Sequence, residues 1–342
     1  MAGLAGSGRH LLFDSGRTRW NLLAVVPAAL VAFAVLSAVL PPRSGPLALA
    51  LTLEEHLFIA VLVVLTPVAL LTRARLLGLA LVVVVVAGGG FFGSEWISLP
   101  GGATRHDLSV MSWNLQAGAR TPAEAAAQLE GVKVDLIALQ ELEPDASAAI
   151  EADPVITARY PHREMQPRAG SRGVAILSRY PIMDLGFPGI EAEMQVVLDA
   201  PQGRVHVINA HPMPASIETI TPLRLPIDFN PAQRDAAIAT VKGGIDLARS
   251  AGERVLVLGD FNTAPSEPEN AVLTEGLRDT HVEVGEGPGW TWRPSRFTFL
   301  PVAFLRIDRQ LTAGAIYPVS TSVECSLPGD HCRLFGDYEI DG

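Results

Sequence analysis

Val255–Leu258 is an unbroken apolar run, as expected of a strand covered on both faces. It ends in Gly-Asp-Phe-Asn. Asp260 and Asn262 sit two apart, so extended geometry points both to one side. Three further runs end in a polar group: "DLSVMSWN" in Asn114, "VDLIALQE" in Glu141 and "RVHVINAH" in His211. Asp308 and the pair Asp330-His331 follow later in the chain. Each alone would be ordinary, since Asp and Asn are turn residues and a lone His is usually structural. Repeated at one strand end after another, they indicate a site, because that is where sheet proteins collect ligands and chemistry. The donor types suit metal binding and proton transfer. Glu141 is a hard oxygen ligand of the kind Mg2+ prefers, and a His beside an Asp can move or hold a proton.

The elements that would carry these groups alternate between strand and helix. "TPAEAAAQLE" reads as a helix with Thr121 as cap, Pro122 at its first position and Glu124 three residues after the cap. "GVAILSR" (173–179) is an apolar strand, and "MQVVLDA" pairs with "RVHVINAH" as a hairpin around Pro201-Gln202-Gly203. Asn230 and Pro231 open an amphipathic helix that reaches about Arg249. Between His211 and Asn230 lies a Pro-rich segment that also holds Ile217, Ile220, Leu223, Leu225, Ile227 and Phe229. A second apolar stretch, "FTFLPVAFL", leads into Asp308. Both could pack into the domain or face a lipid. His56, His106, His162, His206 and His281 match no pattern, while Arg172 and Arg234 could reach a phosphate if not simply solvated.

The chain divides at about residue 103. Leu22–Leu40 is an uncharged run of 19, Leu57–Leu71 one of 15 and Leu76–Phe92 one of 17. Three such runs predict membrane spans in residues 1–103, the second being short on its own. A cleavable signal peptide would account only for the first. Arg9, Arg17 and Arg19 precede the first run, and Arg73 and Arg75 separate the second from the third. Those segments should be cytoplasmic, which places residues 104–342 outside; if the second run does not cross, the domain falls inside. Residues 104–342 carry 20 Lys/Arg against 32 Asp/Glu, a formal charge of −12. That balance disfavours nucleic acid as a partner.

Cys325 and Cys332 are the two cysteines. In an exported domain they suggest a disulfide, with free buried thiols the alternative. A zinc site lacks a fourth ligand beside His331.

From about residue 107 onward the chain resembles the endonuclease/exonuclease/phosphatase superfamily, the fold of deoxyribonuclease I, abasic-site endonucleases, sphingomyelinases and inositol polyphosphate phosphatases. The motifs are "SWNL" (Asn114), "LQE" (Glu141), "NAHP" (His211), "GDFN" (Asp260, Asn262), "RIDRQL" (Asp308) and "GDH" (Asp330, His331), in order. Gly329 stands where the last motif usually begins with Ser. Gln116 replaces an acidic or Asn residue of some members, which bears on a second metal position.

The resemblance implies a four-layered α/β/β/α sandwich and metal-dependent hydrolysis of a phosphoester or phosphoanhydride. It implies Mg2+ or Mn2+ held by Glu141 and Asp330, with Asn114 adding an oxygen directly or through water. His331 would act as base toward water or as a transition-state donor, oriented by Asp308. Asp260 would position the nucleophile or handle a proton, and Asn262 and His211 would donate to phosphoryl oxygens. Three spans plus such a domain resemble the teicoplanin-resistance membrane proteins of actinomycetes. The expected activity is then hydrolysis, outside the membrane, of a phospho- or pyrophospho-lipid such as undecaprenyl pyrophosphate. A tethered extracellular nuclease is the alternative, and a non-enzymatic receptor a third class that the intact motif set disfavours.

Overall fold

The computed structural model describes residues 19–98, 102–186, 189–220, 225–299, 302–325 and 329–341. Arg9, Arg17, Leu223, Leu300 and Pro301, which entered the sequence reading, lie outside them. The chain forms two compact units, one of residues 1–42 and 53–93, the other of residues 43–52 and 94–342.

In the first unit, three helices are long and apolar enough to cross a membrane: Arg19–Val39, Glu54–Thr72 and Arg75–Trp96. The last of these continues into the second unit. Leu30, Ala34, Phe58 and Val84 form a small core. Phe58 meets Phe92 edge to face, with ring centroids 5.4 Å apart. The stretch before Glu54 does not lengthen the second long helix. It forms a separate helix, Gly45–Thr52, which belongs to the second unit.

The second unit holds fourteen strands among the described residues. They are β1 (Leu108–Asn114), β2 (Leu136–Gln140), β3 (His162–Gln166), β4 (Val174–Ser178), β5 (Ile182–Asp184), β6 (Glu193–Ala200), β7 (Gly203–Ala210), β8 (Ser216–Ile220), β9 (Leu225–Asn230), β10 (Val255–Asp260), β11 (Arg278–Asp279), β12 (Asp308–Ala313), β13 (Ile316–Glu324) and β14 (Arg333–Ile340). One six-stranded sheet runs β13-β14-β1-β2-β4-β3, a second runs β11-β12-β10-β7-β6-β5, and β8-β9 stand apart as a pair.

Strand alternation builds the layers. Leu108 and Val110 of β1 join Leu136 and Ala138 of β2 in a core shared with Val205, Val207, Leu256 and Leu258 of the other sheet. The intervening Met111 and Trp113 face the opposite way, into a core with Leu129, Ile150 and Ile156 of the helices Pro122–Glu130, Pro144–Ala152 and Pro154–Arg159. Val255 and Val257 likewise face Ile238, Val241 and Ile245 of the helix Ala232–Ser250. The result is helix, sheet, sheet, helix, the four-layered sandwich the resemblance implied. The Thr121 cap forms as read: its hydroxyl accepts from Glu124 N, and the Glu124 carboxylate accepts from Thr121 N.

Candidate active site

Register brings the polar strand ends together. Asn114 of β1 lies opposite Gln140 of β2, so Glu141 follows directly beside it. Asp260 closes β10 opposite Asp308 of β12, and Leu258 lies opposite Asn209 of β7, two residues before His211. A buried amide bridge aligns the two sheets at this end. Gln140 Nε2 donates to Asn209 Oδ1 at 2.7 Å, and Asn209 Nδ2 donates to the carbonyls of Leu139 and Ala175 at 2.9 and 3.0 Å. Both amides lie inside motifs, Gln140 in "LQE" and Asn209 in "NAHP", but nothing in the sequence pairs one with the other across the two sheets. The strand ends also share tight backbone. A Cβ on Gly259 (φ +142°) would lie 1.9 Å from Ala210 O, which is why "GDFN" begins with glycine. Gln116, Glu141 and Asn262 all adopt left-handed φ, between +52° and +56°. Each such non-glycine residue costs about 1–3 kcal/mol, and such strain clusters at functional sites.

The side chains converge. Asn114 Nδ2 donates to Glu141 Oε1 and to Asp260 Oδ2, both at 3.0 Å. Its own oxygen accepts from Gln116 N at 2.8 Å. Asn114 therefore presents its nitrogen to the carboxylates, whereas the sequence reading had it offer oxygen to a metal. Glu141 Oε2 accepts from Ala117 N at 2.8 Å. His211 Nδ1 contacts Ser171 O at 2.9 Å, turning Nε2 toward Asp260 at 3.5 Å and Glu141 at 3.8 Å. Asp260 Oδ1 accepts from Asn262 N at 2.9 Å, and Asn262 Nδ2 donates to Pro212 O. His331 Nδ1 pairs with Asp308 Oδ2 at 3.0 Å, and its Nε2 faces Asp260 Oδ2 at 3.5 Å. Asp330 N donates to Gln116 Oε1 at 2.9 Å. All eight residues marked in the sequence thus occupy one site.

Electrostatics follow from burial and crowding. Burial disfavours the His331 imidazolium, but Asp308, Asp260 and Asp330 outweigh it and lift its pKa to about 10. His211 is also raised: burial opposes its charge, and Asp260 and Glu141 more than offset that. For Asp260, burial pushes upward, yet the two imidazoles and the Asn262 amide hold it below the usual range. Burial raises Asp308 and Asp330, with His331 pulling the other way on each. The Asp308–His331 pair thus keeps its proton on the imidazole.

Four carboxylates in one site call for a cation. Asp330 Oδ1 is buried without a hydrogen-bond partner, the mark of an oxygen made for a ligand. Glu141 keeps 17% of its side chain exposed beside it. Ligand atoms of Asp260, Asp308 and His331 also lie within 4.8 Å of one another. There, however, Nδ1 of His331 is already engaged with Asp308. The hard oxygen donors fit a divalent cation such as Mg2+ or Mn2+.

The supports for the last motif went unread in the sequence. Thr291 Oγ1 accepts from Asp308 N at 3.1 Å, Cys332 N donates to Thr291 O at 2.7 Å, and Arg293 N donates to Asp330 O at 2.9 Å. A disulfide joins Cys325 to Cys332, next to His331. Gly329 has φ +143°, and a Cβ there would lie 1.8 Å from the Arg120 guanidinium, which sits 4.8 Å from the Trp113 ring centre. Any side chain here would be strained by that φ and would have to displace the Arg120 guanidinium, which suits glycine to the place where the resemblance expects serine. Gly329→Ser should cost about 1–3 kcal/mol of stability in urea denaturation. Adding Arg120→Ala should recover part of that, since only the collision is relieved.

Arg234 is not poised for phosphate. It is buried against Glu267 at 2.7 Å and Asp235 at 2.9 Å, and it donates to Asn262 O at 2.7 Å. Arg234→Ala would leave the buried Glu267 uncompensated. The expected loss is about 3–5 kcal/mol by denaturant titration, and Arg234→Met with Glu267→Leu should lose less. Arg172 pairs with Glu191 at 3.0 Å on the surface. His206 and His281 are buried in hydrogen bonds of their own, to Glu253 and Gln195 and to the carbonyls of Glu95 and Gly287.

Residues 111–331, more than half of the chain, match the model of the Endonuclease/Exonuclease/phosphatase family, and the chain belongs to that family. Similar solved structures include an endonuclease/exonuclease/phosphatase from Beutenbergia cavernae, at 21% identity and TM-score 0.51, covering 70% of this chain and 72% of that one. The 3' phosphatase NExo from Neisseria, bound to a product DNA hairpin, is 20% identical with TM-score 0.52, covering 69% of this chain and all of that one. An AP endonuclease from Archaeoglobus fulgidus is 15% identical with TM-score 0.51, covering 68% and 100%. At these identities the likeness shows the fold. Comparison with curated proteins gave no match. By family the protein is thus a metal-dependent phosphoester hydrolase, and the converging carboxylates and imidazoles suit that chemistry.

Proposed function

We propose that the protein is a membrane-anchored phosphohydrolase acting on a phospho- or pyrophospho-lipid at the outer face of the membrane, with undecaprenyl pyrophosphate the leading substrate. The observation that carries the lipid reading is the exposed apolar surface rooted at the site, in a chain with three helices fit to span a bilayer. β8-β9 begins five residues after His211 and exposes Ile217, Ile220 and Ile227. On the Asp330 side, where Ser295 Oγ contacts Asp330 Oδ2 at 3.5 Å, Phe297, Phe299 and Val302 are exposed. The architecture also resembles the actinomycete teicoplanin-resistance type noted above, and resistance through the cell-wall lipid carrier is the physiological role in keeping with it.

Glu141 and Asp330 would hold Mg2+, or Mn2+ in its place, with Asn114 orienting Glu141. The bound ion would polarise a phosphoryl oxygen and offset charge on the leaving group. Asp260 orients the attacking water and accepts its proton. A new P–O bond forms to that water oxygen, and the P–O bond to the leaving group breaks in line with it. His331, held by Asp308, donates from Nε2 to a phosphoryl oxygen, as do His211 and Asn262. The leaving oxygen takes a proton from solvent.

A nuclease is the second reading, favoured by neighbours whose names state DNA phosphatase and AP endonuclease activity. The −12 charge of residues 104–342 stands against it. Purified protein with Mg2+ would be offered undecaprenyl pyrophosphate, plasmid DNA and a soluble phosphodiester in parallel. Phosphate released from the lipid supports the proposal. Nicked plasmid with no lipid turnover rejects it. A phosphatase fused after Gly342 should be active if the domain is exported, and an inactive fusion rejects that placement.

A further inference from the structure

We propose that the Gly45–Thr52 helix and the β8-β9 hairpin form a lipid-seated face of the catalytic unit, through which substrate reaches the site from the bilayer. The inference rests on the membrane reading above and extends it to a surface that no motif marks.

Connectivity gives the first argument. The Gly45–Thr52 helix belongs to the catalytic unit, yet it lies in sequence between two helices fit to span a membrane. Only Leu53 separates its end from Glu54, where the next long helix begins. On its other side residues 40–44 link it to Val39, a reach of at most about 22 Å fully extended. If those two long helices span a bilayer, so short a link on either side holds this helix within reach of its surface.

It is fixed to the hairpin and to the active-site loop. The helix packs along β9. Ser266, four residues after Asn262, donates its hydroxyl to Leu51 O at 2.6 Å. Arg43 pairs with Glu269 at 3.1 Å. The hairpin is rooted at the same loop. Asn262 Nδ2 donates to Pro212 O just before β8, and Arg234, just after β9, donates to Asn262 O.

The hairpin is built for an apolar partner. It joins neither large sheet, and every residue of β8 is exposed. The Gly45–Thr52 helix packs along β9, where Phe229 is buried, but β8 is left uncovered among the described residues. Ile217 is 51% exposed, Ile220 54% and Ile227 42%, and Leu47 on the adjoining helix is 61% exposed. Residues 216–230 carry Glu218 and Asp228 against Arg224, so attraction to anionic headgroups cannot seat them. Burial of the isoleucines can.

The test uses the full chain in vesicles of phosphatidylcholine alone. An NBD fluorophore is placed on Ile217→Cys, on Ile227→Cys, and on Leu247→Cys, which is exposed on the outer helix. The first two should emit blue-shifted light and resist quenching by iodide. The third should behave as in water. A second arm compares Ile217→Asp with Ile227→Asp, combined, against the unaltered chain. Hydrolysis of membrane-embedded lipid pyrophosphate should fall at least tenfold, with hydrolysis of a soluble phosphodiester within twofold. Water-like emission at both hairpin positions overturns the proposal, and so do equal losses on both substrates. If the unaltered chain leaves the lipid intact while both probes are protected, the substrate assignment fails and the seating stands.

Discussion

His331→Ala should lower kcat on any phosphoester substrate by about 10²–10⁴-fold, with the fold retained. The geometry accounts for the size of the effect. Nδ1 is fixed by Asp308 at 3.0 Å, so the ring can turn only Nε2 toward the site, where it faces Asp260 at 3.5 Å. Alanine removes both the donor to the phosphoryl group and the positive charge that balances Asp260 and Asp308. Asp308→Asn should cost somewhat less, because an amide still contacts the ring but no longer stabilises the imidazolium. Acting as one unit, the pair should be non-additive: Asp308→Asn with His331→Ala should be no slower than His331→Ala alone. Single-turnover rates and circular dichroism on the three variants check this. Residual kcat above about 10% in His331→Ala would remove it from the chemistry.

That dyad also shows what could be read from the chain. Asp308 and His331 lie 23 positions apart in sequence, and no periodicity joins them. Their motifs did. The strands beneath the site were legible because a short apolar run closed by a polar residue fits a buried strand that ends at a surface, and β1, β2, β7 and β10 formed where those runs lie. The supports were not legible. Thr291 lies outside every motif and matters only because the fold brings its hydroxyl to Asp308 N, while Gln140 sits in "LQE" with nothing in the sequence to show that it reaches Asn209 of the other sheet. The stretch between His211 and Asn230 read as a Pro-rich segment, yet it pairs as β8-β9, since Pro226 sits at the bulge where register shifts between Glu218 and Thr219. Gly45–Thr52 was hidden for a different reason. Apolar composition marks a helix for burial without saying whether lipid or protein covers it.

Glu141→Gln should abolish turnover and uncouple the protein from divalent cations, two effects that separate a ligand from a structural carboxylate. Glu141 sits at φ +56°, a conformation that strains any side chain with a Cβ. The strain aims its carboxylate at the site, where Asn114 Nδ2 and Ala117 N take one oxygen each. Glutamine keeps the volume and one acceptor while losing the charge that a hard cation needs. Beside it Asp330 Oδ1 is buried with no hydrogen-bond donor, an arrangement that a bound ion relieves. Mn2+ at about a hundred times its dissociation constant should therefore stabilise the unaltered protein by about 2.7 kcal/mol against unfolding. Chelation should remove both that gain and the activity. In Glu141→Gln the melting temperature should hardly respond to Mn2+, and kcat should fall by about 10³-fold or more. Thermal melts across a metal titration, run beside the activity assay, give both readouts. A variant whose melting temperature still climbs with Mn2+ as the parent's does would place the ion elsewhere, with the Asp260, Asp308 and His331 cluster the next set to test.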